Sequence, residues 1–325
     1  MKGTLFVIAG SALLASACGG GSDATTPPPQ TPPTGLEITT ANAESVSKAS
    51  YDAAFQSSSA TDLVGGGGFI ASNPGSVNSN SGAKFAARLS VASVQAVPIG
   101  PVTLDCQFGG NLTVSGDIDD PITPTLASGD VITVVYNSCR ESEEETISGQ
   151  TSMTIDSFSG DMAGGFYELA ATMSLSNFQI SSAADTIMSN GAVTVSLNTL
   201  QAPFVEASAA GTSLMTSSNT TSDTLTNFST TETVNAGQQP APYTFESEGT
   251  LDSSRLSGVV SYSTPLTFQG FDLDYPSTGE LLITGTSSSA RLIALDNVNV
   301  QIDVDSDGDN VVDMVINTTW AALED

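Results

Sequence analysis

From Val102 to the C-terminus, apolar residues recur at every second position. Tyr167, Leu169, Ala171, Met173 and Leu175 alternate with Glu168, Ala170, Thr172, Ser174 and Ser176. Val193, Val195 and Leu197 repeat the pattern, as do Val298, Val300, Ile302 and Val304. One apolar face and one Thr/Ser/Asn face predict antiparallel strands buried on one side. Turn signals fall at Gly160, Gly164-Gly165, Ser189-Asn190-Gly191, Asp252-Ser253-Ser254 and Pro276–Gly279. They divide the region into about 12 strands. No helical pattern separates the strands, which argues against a parallel βαβ sheet. An open sheet of that size must curl or split. The expected fold is mainly β: a large curved antiparallel sheet or incomplete barrel, with one or two N-terminal helices packed on it.

The period is different over residues 36–98. Asn42 is placed to cap a helix running to about Gln56, with Val46, Ala49, Ala53 and Ala54 at helical spacing. A Gly/Ser/Asn stretch follows, from Gly65 to Gly82. The spacing predicts a second helix over Ala83–Val97, whose narrow apolar face is Phe85, Leu89, Ala92 and Ala96. Pro98 and Pro101 end it. Residues 36–98 thus read as a helical segment and 99–325 as the β domain.

Residues 1–17 read as a secretory signal. Lys2 is the lone charge and Leu5–Leu14 is a short apolar run. It falls short of the roughly 20 apolar residues a spanning helix needs. Leu14-Ala15-Ser16-Ala17-Cys18, followed by Gly19-Gly20-Gly21, resembles the lipobox of bacterial lipoproteins, although Leu14 sits one place earlier than usual. The resemblance implies cleavage before Cys18 and a diacylglyceryl group on its sulfur, with further acylation such as palmitate. Several acyl chains anchor firmly where one does not. Residues 18–35 form a tether, flexible where Gly/Ser-rich and stiff at Pro27-Pro28-Pro29 and Pro32-Pro33. Gly19 after the cysteine resembles lipoproteins sorted to the outer membrane. The expected address is the cell envelope of a Gram-negative bacterium, with the membrane as partner through the lipid.

Two further cysteines, Cys106 and Cys139, read as a disulfide in an oxidising compartment. If Val102–Gly116 and Asp130–Cys139 are partner strands with the cysteines opposite each other, Val114 faces Val131 and Leu112 faces Thr133.

Composition narrows the chemistry. The chain of 325 residues carries seven Lys+Arg against 35 Asp+Glu, a formal charge of −28, and no His. Ser/His/Asp and Cys/His nucleophilic sites are excluded, as is His-ligated zinc. So little basic charge excludes binding through a phosphate backbone, so no nucleic-acid partner is expected. Gly65–Gly68 lacks the Gly-Lys-Ser/Thr of a phosphate loop. Carboxylates are plentiful, but no spacing marks a hydrolase pair. The chain reads as a non-enzyme.

The sharpest motif is Asp305-Ser306-Asp307-Gly308-Asp309-Asn310-Val311-Val312-Asp313. It resembles the calcium loops of thrombospondin type 3-like and related bacterial repeats. Calcium takes six to eight hard oxygens, and alternate acids around a tight turn supply them at one point. Asp305, Asp307, Asp309 and Asp313 would ligate, with Gly308 or Asn310 in the turn conformation. As an EF-hand the loop is incomplete: Met314 or Ile316 stands where the bidentate acid belongs. Affinity in the ~10⁻⁴–10⁻³ M class of extracellular modules is expected. The plainer reading is an acidic β-turn joining Val298–Val304 to Val311–Trp320, with Val304 opposite Val312, Ile302 opposite Met314 and Val300 opposite Ile316. Asp117-Ile118-Asp119-Asp120 with Asp130 is a weaker acidic loop broken by Pro121 and Pro124. Trp320 reads as a core anchor.

Several segments together carry a family resemblance. They are Cys106-x-Phe108-Gly109-Gly110, Ser128-Gly129-Asp130, Asn137-x-Cys139, Thr264-Pro265-Leu266, Tyr275-Pro276 with Gly279–Gly285, the Asp305–Asp313 loop and Thr319-Trp320-Ala321. They resemble a group of uncharacterised, β-rich lipoproteins of Gram-negative bacteria, a likeness that implies no activity. The layout is also similar to periplasmic lipoprotein carriers with an apolar half-barrel, by architecture alone. The leading expectation is a lipid-anchored envelope protein with a structural or interaction role. The alternative is a carrier of a hydrophobic ligand, which requires the apolar face to be hollow and not filled by its own side chains.

Overall fold

The computed structural model describes residues 35–65, 100–117, 127–140, 142–161, 165–183, 185–272 and 274–324. The signal, Cys18, the tether up to residue 34 and the expected helix over 83–97 lie outside them. The described chain is mainly β, as the alternation predicts. Helix α1 (Ala43–Gly65) comes first. Fourteen strands follow in one antiparallel sheet whose spatial order is the chain order, so each strand pairs with the next. They are β1 (Val102–Asp105), β2 (Asn111–Asp117), β3 (Val131–Cys139), β4 (Thr146–Asp161), β5 (Phe166–Ser181), β6 (Thr186–Asn198) and β7 (Phe204–Ser217). Then come β8 (Ser222–Asn235), β9 (Pro242–Ser253), β10 (Val259–Phe271), β11 (Thr278–Thr284), β12 (Ser289–Ala294), β13 (Asn299–Asp305) and β14 (Met314–Thr319). A short helix α2 (Trp320–Glu324) ends the described residues.

The alternation decides which face is buried. Leu281 and Ile283 of β11, Ala290 and Leu292 of β12, and Val300, Ile302 and Val304 of β13 are all fully buried on one face. Helix α1 lies across that face, against β6 to β13 and α2. Its Val46, Ala49, Ala53 and Ala54 are buried as the spacing predicts, and Tyr51 and Phe55 join them. Phe55 stacks on Phe245 of β9 with ring centroids 4.2 Å apart. Tyr51 sits 4.7 Å from Trp320. Trp320 is buried, stacks on Tyr275 at 5.7 Å, and donates from Nε1 to the Asp296 carbonyl at 3.2 Å. Arg255 ties the helix to the sheet, with Nη1 2.8 Å from Asp52 of α1 and Nη2 3.1 Å from Asp223 of β8.

Several local expectations are corrected. Asn42 does start α1, since its carbonyl accepts from Val46 N. Its side chain points backwards, however, accepting from Thr39 N and donating to the Glu37 carbonyl, so it fastens the approach to the helix. Ser189-Asn190-Gly191 is not a turn but lies within β6. Gly191 has φ 139°, and the register of β5 on β6 shifts beside it, between Leu175 and Phe178. Bulges of this kind bend a long strand without ending it. Val102–Gly116 is not one strand: it breaks at Cys106–Gly110 into the hairpin of β1 and β2, one reason the strands number more than expected.

The Cys106–Cys139 disulfide is present, with Cα atoms 5.4 Å apart. Its register differs by three residues from the expected one: Val114 pairs with Val134 and Leu112 with Tyr136. Cys106 sits in the β1–β2 turn beyond the paired segment, so it reaches the end of β3 without standing opposite Cys139. Gly110, at φ 71°, makes this possible, since an added Cβ there would run into the Ser138 carbonyl.

Candidate functional site

The acidic loop joins β13 to β14, and its backbone is held by its own carboxylates. Asp305, at the end of β13, is buried. Its Oδ1 accepts from Gly308 N at 2.7 Å and its Oδ2 from Asn310 N at 3.0 Å. Gly308 and Asn310 both take left-handed conformations, φ 76° and 66°, which Gly and Asn tolerate best. At the other end, Asp313 Oδ2 accepts from Ser306 N at 2.9 Å and from Ser306 Oγ. Those bonds, the hydroxyl's first, hold the Asp313 carboxyl below its ordinary value of 3.8.

The winding brings Asp305, Asp307 and Asp313 together, with one carboxylate oxygen of each within 4.8 Å of the others. Asp309, expected as a fourth ligand, is not part of this cluster. Its Oδ1 turns to Val311 N, 2.8 Å away. The turn expected from the plainer reading is present, but its pairing is shifted by two residues. Val304 pairs with Met314, Ile302 with Ile316 and Val300 with Thr318. Val311 and Val312 therefore belong to the loop and are exposed. A shift of two preserves the faces. The loop is longer than a tight turn because it winds back on Asp305 before β14 starts.

Beside the loop runs a groove of about 420 Å³ on the sheet face away from α1. Leu282, Thr284, Arg291 and Asp303 floor it, and the loop from Gly308 to Val312 walls one side. Arg291 stands between Leu282 and Asp303 in adjacent strands and lies 3.7 Å from Glu280. Gly308 rests against the backbone of Ser287 in the β11–β12 turn. Sequence reading did not find Arg291 or Leu282 as site residues. Alternation places them on the outer face, but only the register sets them beside the acidic loop.

The weaker acidic candidate has a structural use. Asp130 is buried, and its Oδ2 accepts from Ala127 N at 2.8 Å. Residues 118–126 lie outside the described chain. Arg140, beside the disulfide, donates to the Glu143 carbonyl at 2.8 Å. Compared with known proteins, the chain matches no family model, no curated protein and no solved structure.

Proposed function

We propose that this chain is a lipid-anchored protein of the Gram-negative cell envelope, related to the β-rich lipoproteins it resembles, whose sheet domain has a structural or interaction role and not a catalytic one. Among the described residues α1 covers the inner face of β6 to β13, and this contact carries the reading of the domain. Tyr51 and Phe55 of α1 occupy the ground between Phe245, Phe268 and Trp320, space a carrier would keep for its ligand. The lipobox-like Leu14–Cys18 run supports the anchor, and the disulfide is consistent with an oxidising compartment. The acidic surface keeps the domain soluble and favours cationic partners over nucleic acid.

Calcium is the proposed cofactor of the acidic loop. Asp305, Asp307 and Asp313 offer three hard carboxylates converging on a preformed turn, and carbonyls or water would complete the shell.

Two experiments test these readings. Radiolabelled palmitate should label the wild-type chain in outer-membrane fractions and not Cys18→Ala. A soluble, unlabelled wild type removes the anchor. Native mass spectrometry should show a bare protein mass that gains a calcium adduct lost in Asp307→Asn. A co-purified lipid would replace the structural reading with that of a carrier.

A further inference from the structure

The last strand of the sheet has an open side. Among the described residues β14 pairs with β13 alone. Trp320 N donates to the Val298 carbonyl at 3.0 Å, so the alternation of an antiparallel pair turns the amides and carbonyls of Val315 and Asn317 away from β13. Edge strands are commonly guarded by charge, proline or a bulge. Met314–Thr319 reads Met-Val-Ile-Asn-Thr-Thr and carries neither charge nor proline. Apolar side chains surround the edge: Met314 is 38% exposed, Val315 48%, Val312 48% and Val311 61%.

Charge selects the occupant. A second copy would bring another formal −28 and a second acidic loop to the contact. Exposed Asp313 immediately precedes β14, Asp307 lies beside it, and Asp303 stands opposite Val315. We propose that the β14 edge receives an extended segment of a partner protein as a further strand, a segment bearing Lys or Arg among β-branched residues. Its backbone pairs with Val315 and Asn317, its apolar side chains cover Val312 and Val315, and its cation meets Asp313. This deepens the interaction role above and is independent of the anchor, because strand addition does not involve Cys18.

The test uses the full chain in detergent micelles, with EDTA so that calcium does not occupy Asp313. Fluorescence anisotropy compares three synthetic peptides: Lys-Val-Thr-Val-Lys-Val, the same peptide with Glu for Lys, and the Lys peptide N-methylated at alternate residues. The Lys peptide should bind in a salt-sensitive way and the Glu peptide should not. N-methylation, and separately Val315→Pro, should weaken binding by roughly tenfold or more through lost backbone bonds. Asp313→Asn should weaken it roughly two- to fivefold, the size of an exposed ion pair. Should Val315→Pro not fold, the N-methylated peptide carries the same test. Equal binding of the N-methylated peptide, or no binding of the Lys peptide, overturns the proposal. Sedimentation showing a dimer that Val315→Pro dissolves would assign the edge to a second copy and also overturn it.

Discussion

The rings of Phe268 and Trp320 lie 6.3 Å apart, although Phe268 is on β10 and Trp320 follows β14. A flat sheet would separate strands four places apart by about 19 Å. The sheet therefore curls around α1, and the aromatic side chains of the helix fill the space inside the curl. This closes the core while, among the described residues, β1 and β14 do not pair.

Phe55 should be among the most sensitive positions, because its ring lies against Phe245 with planes only 18° apart. Phe55→Ala should cost about 3–5 kcal/mol, and Phe55→Leu clearly less. Urea unfolding followed by circular dichroism reads the difference. A change below about 0.5 kcal/mol for Phe55→Ala, the range of ordinary surface substitutions, would mean that α1 does not stabilise the sheet.

Two serines of α1 should behave in the opposite way. Ser47 and Ser50 are fully buried, and among the described residues their hydroxyls have no hydrogen-bond partner. Ser47→Ala and Ser50→Ala each remove an unpaired polar group and improve helix propensity. Each should raise stability by about 1 kcal/mol, seen as a higher urea midpoint at an unchanged slope.

The disulfide spans 33 residues. Closing a loop of that length should contribute about 3–4 kcal/mol in the chain-entropy model. The double replacement Cys106→Ser/Cys139→Ser should lower the midpoint accordingly. An unchanged melting temperature would show that the crosslink does not limit stability.

Acid should act in opposite directions at different carboxyls. Burial raises the Asp52 value above 3.8, against the opposing hydrogen bond and charge of Arg255. The fold thus holds a proton on Asp52 more readily than the unfolded chain does. The Asp52 contribution is most favourable below pH 3.8 and is lost as pH rises through the raised value. Asp313 and Asp296 are lowered, chiefly by side-chain hydrogen bonds from Ser306 and Asn299. Their contributions are present above pH 3.8 and are lost as pH falls through the lowered values. Carboxyl-carbon NMR should show Asp52 titrating above 3.8 and the other two below it. The reverse order would contradict the hydrogen bonds at the acidic loop.

Arg255 separates Asp52 from Asp223. Arg255→Met should cost about 1–3 kcal/mol at pH 7, less than for a fully buried network because these groups keep some water contact. The loss should shrink below pH 3.8, where Asp52, whose value is raised by burial, is protonated and no longer repels Asp223. Chemical unfolding at the two pH values checks this.

Local alternation by itself determined the class of this fold. A period of two with one apolar face requires strands buried on one side, and Val300, Ile302 and Val304 are buried as that pattern demands. Helical spacing likewise identified the inner face of α1, and the acidic residues of the β13–β14 loop marked its turn. Tertiary structure decided the registers. A slip of two residues leaves every side chain on its face, so periodicity does not distinguish Val304 opposite Val312 from Val304 opposite Met314. It also decided which acids converge. Asp309 resembles its neighbours in sequence, yet its carboxylate is taken by Val311 N while Asp305, Asp307 and Asp313 meet. The groove beside Arg291 and the meeting of Phe268 with Trp320 depend on curvature, which arises from long-range packing around α1 and from bulges within the strands. Neither is written in any one segment.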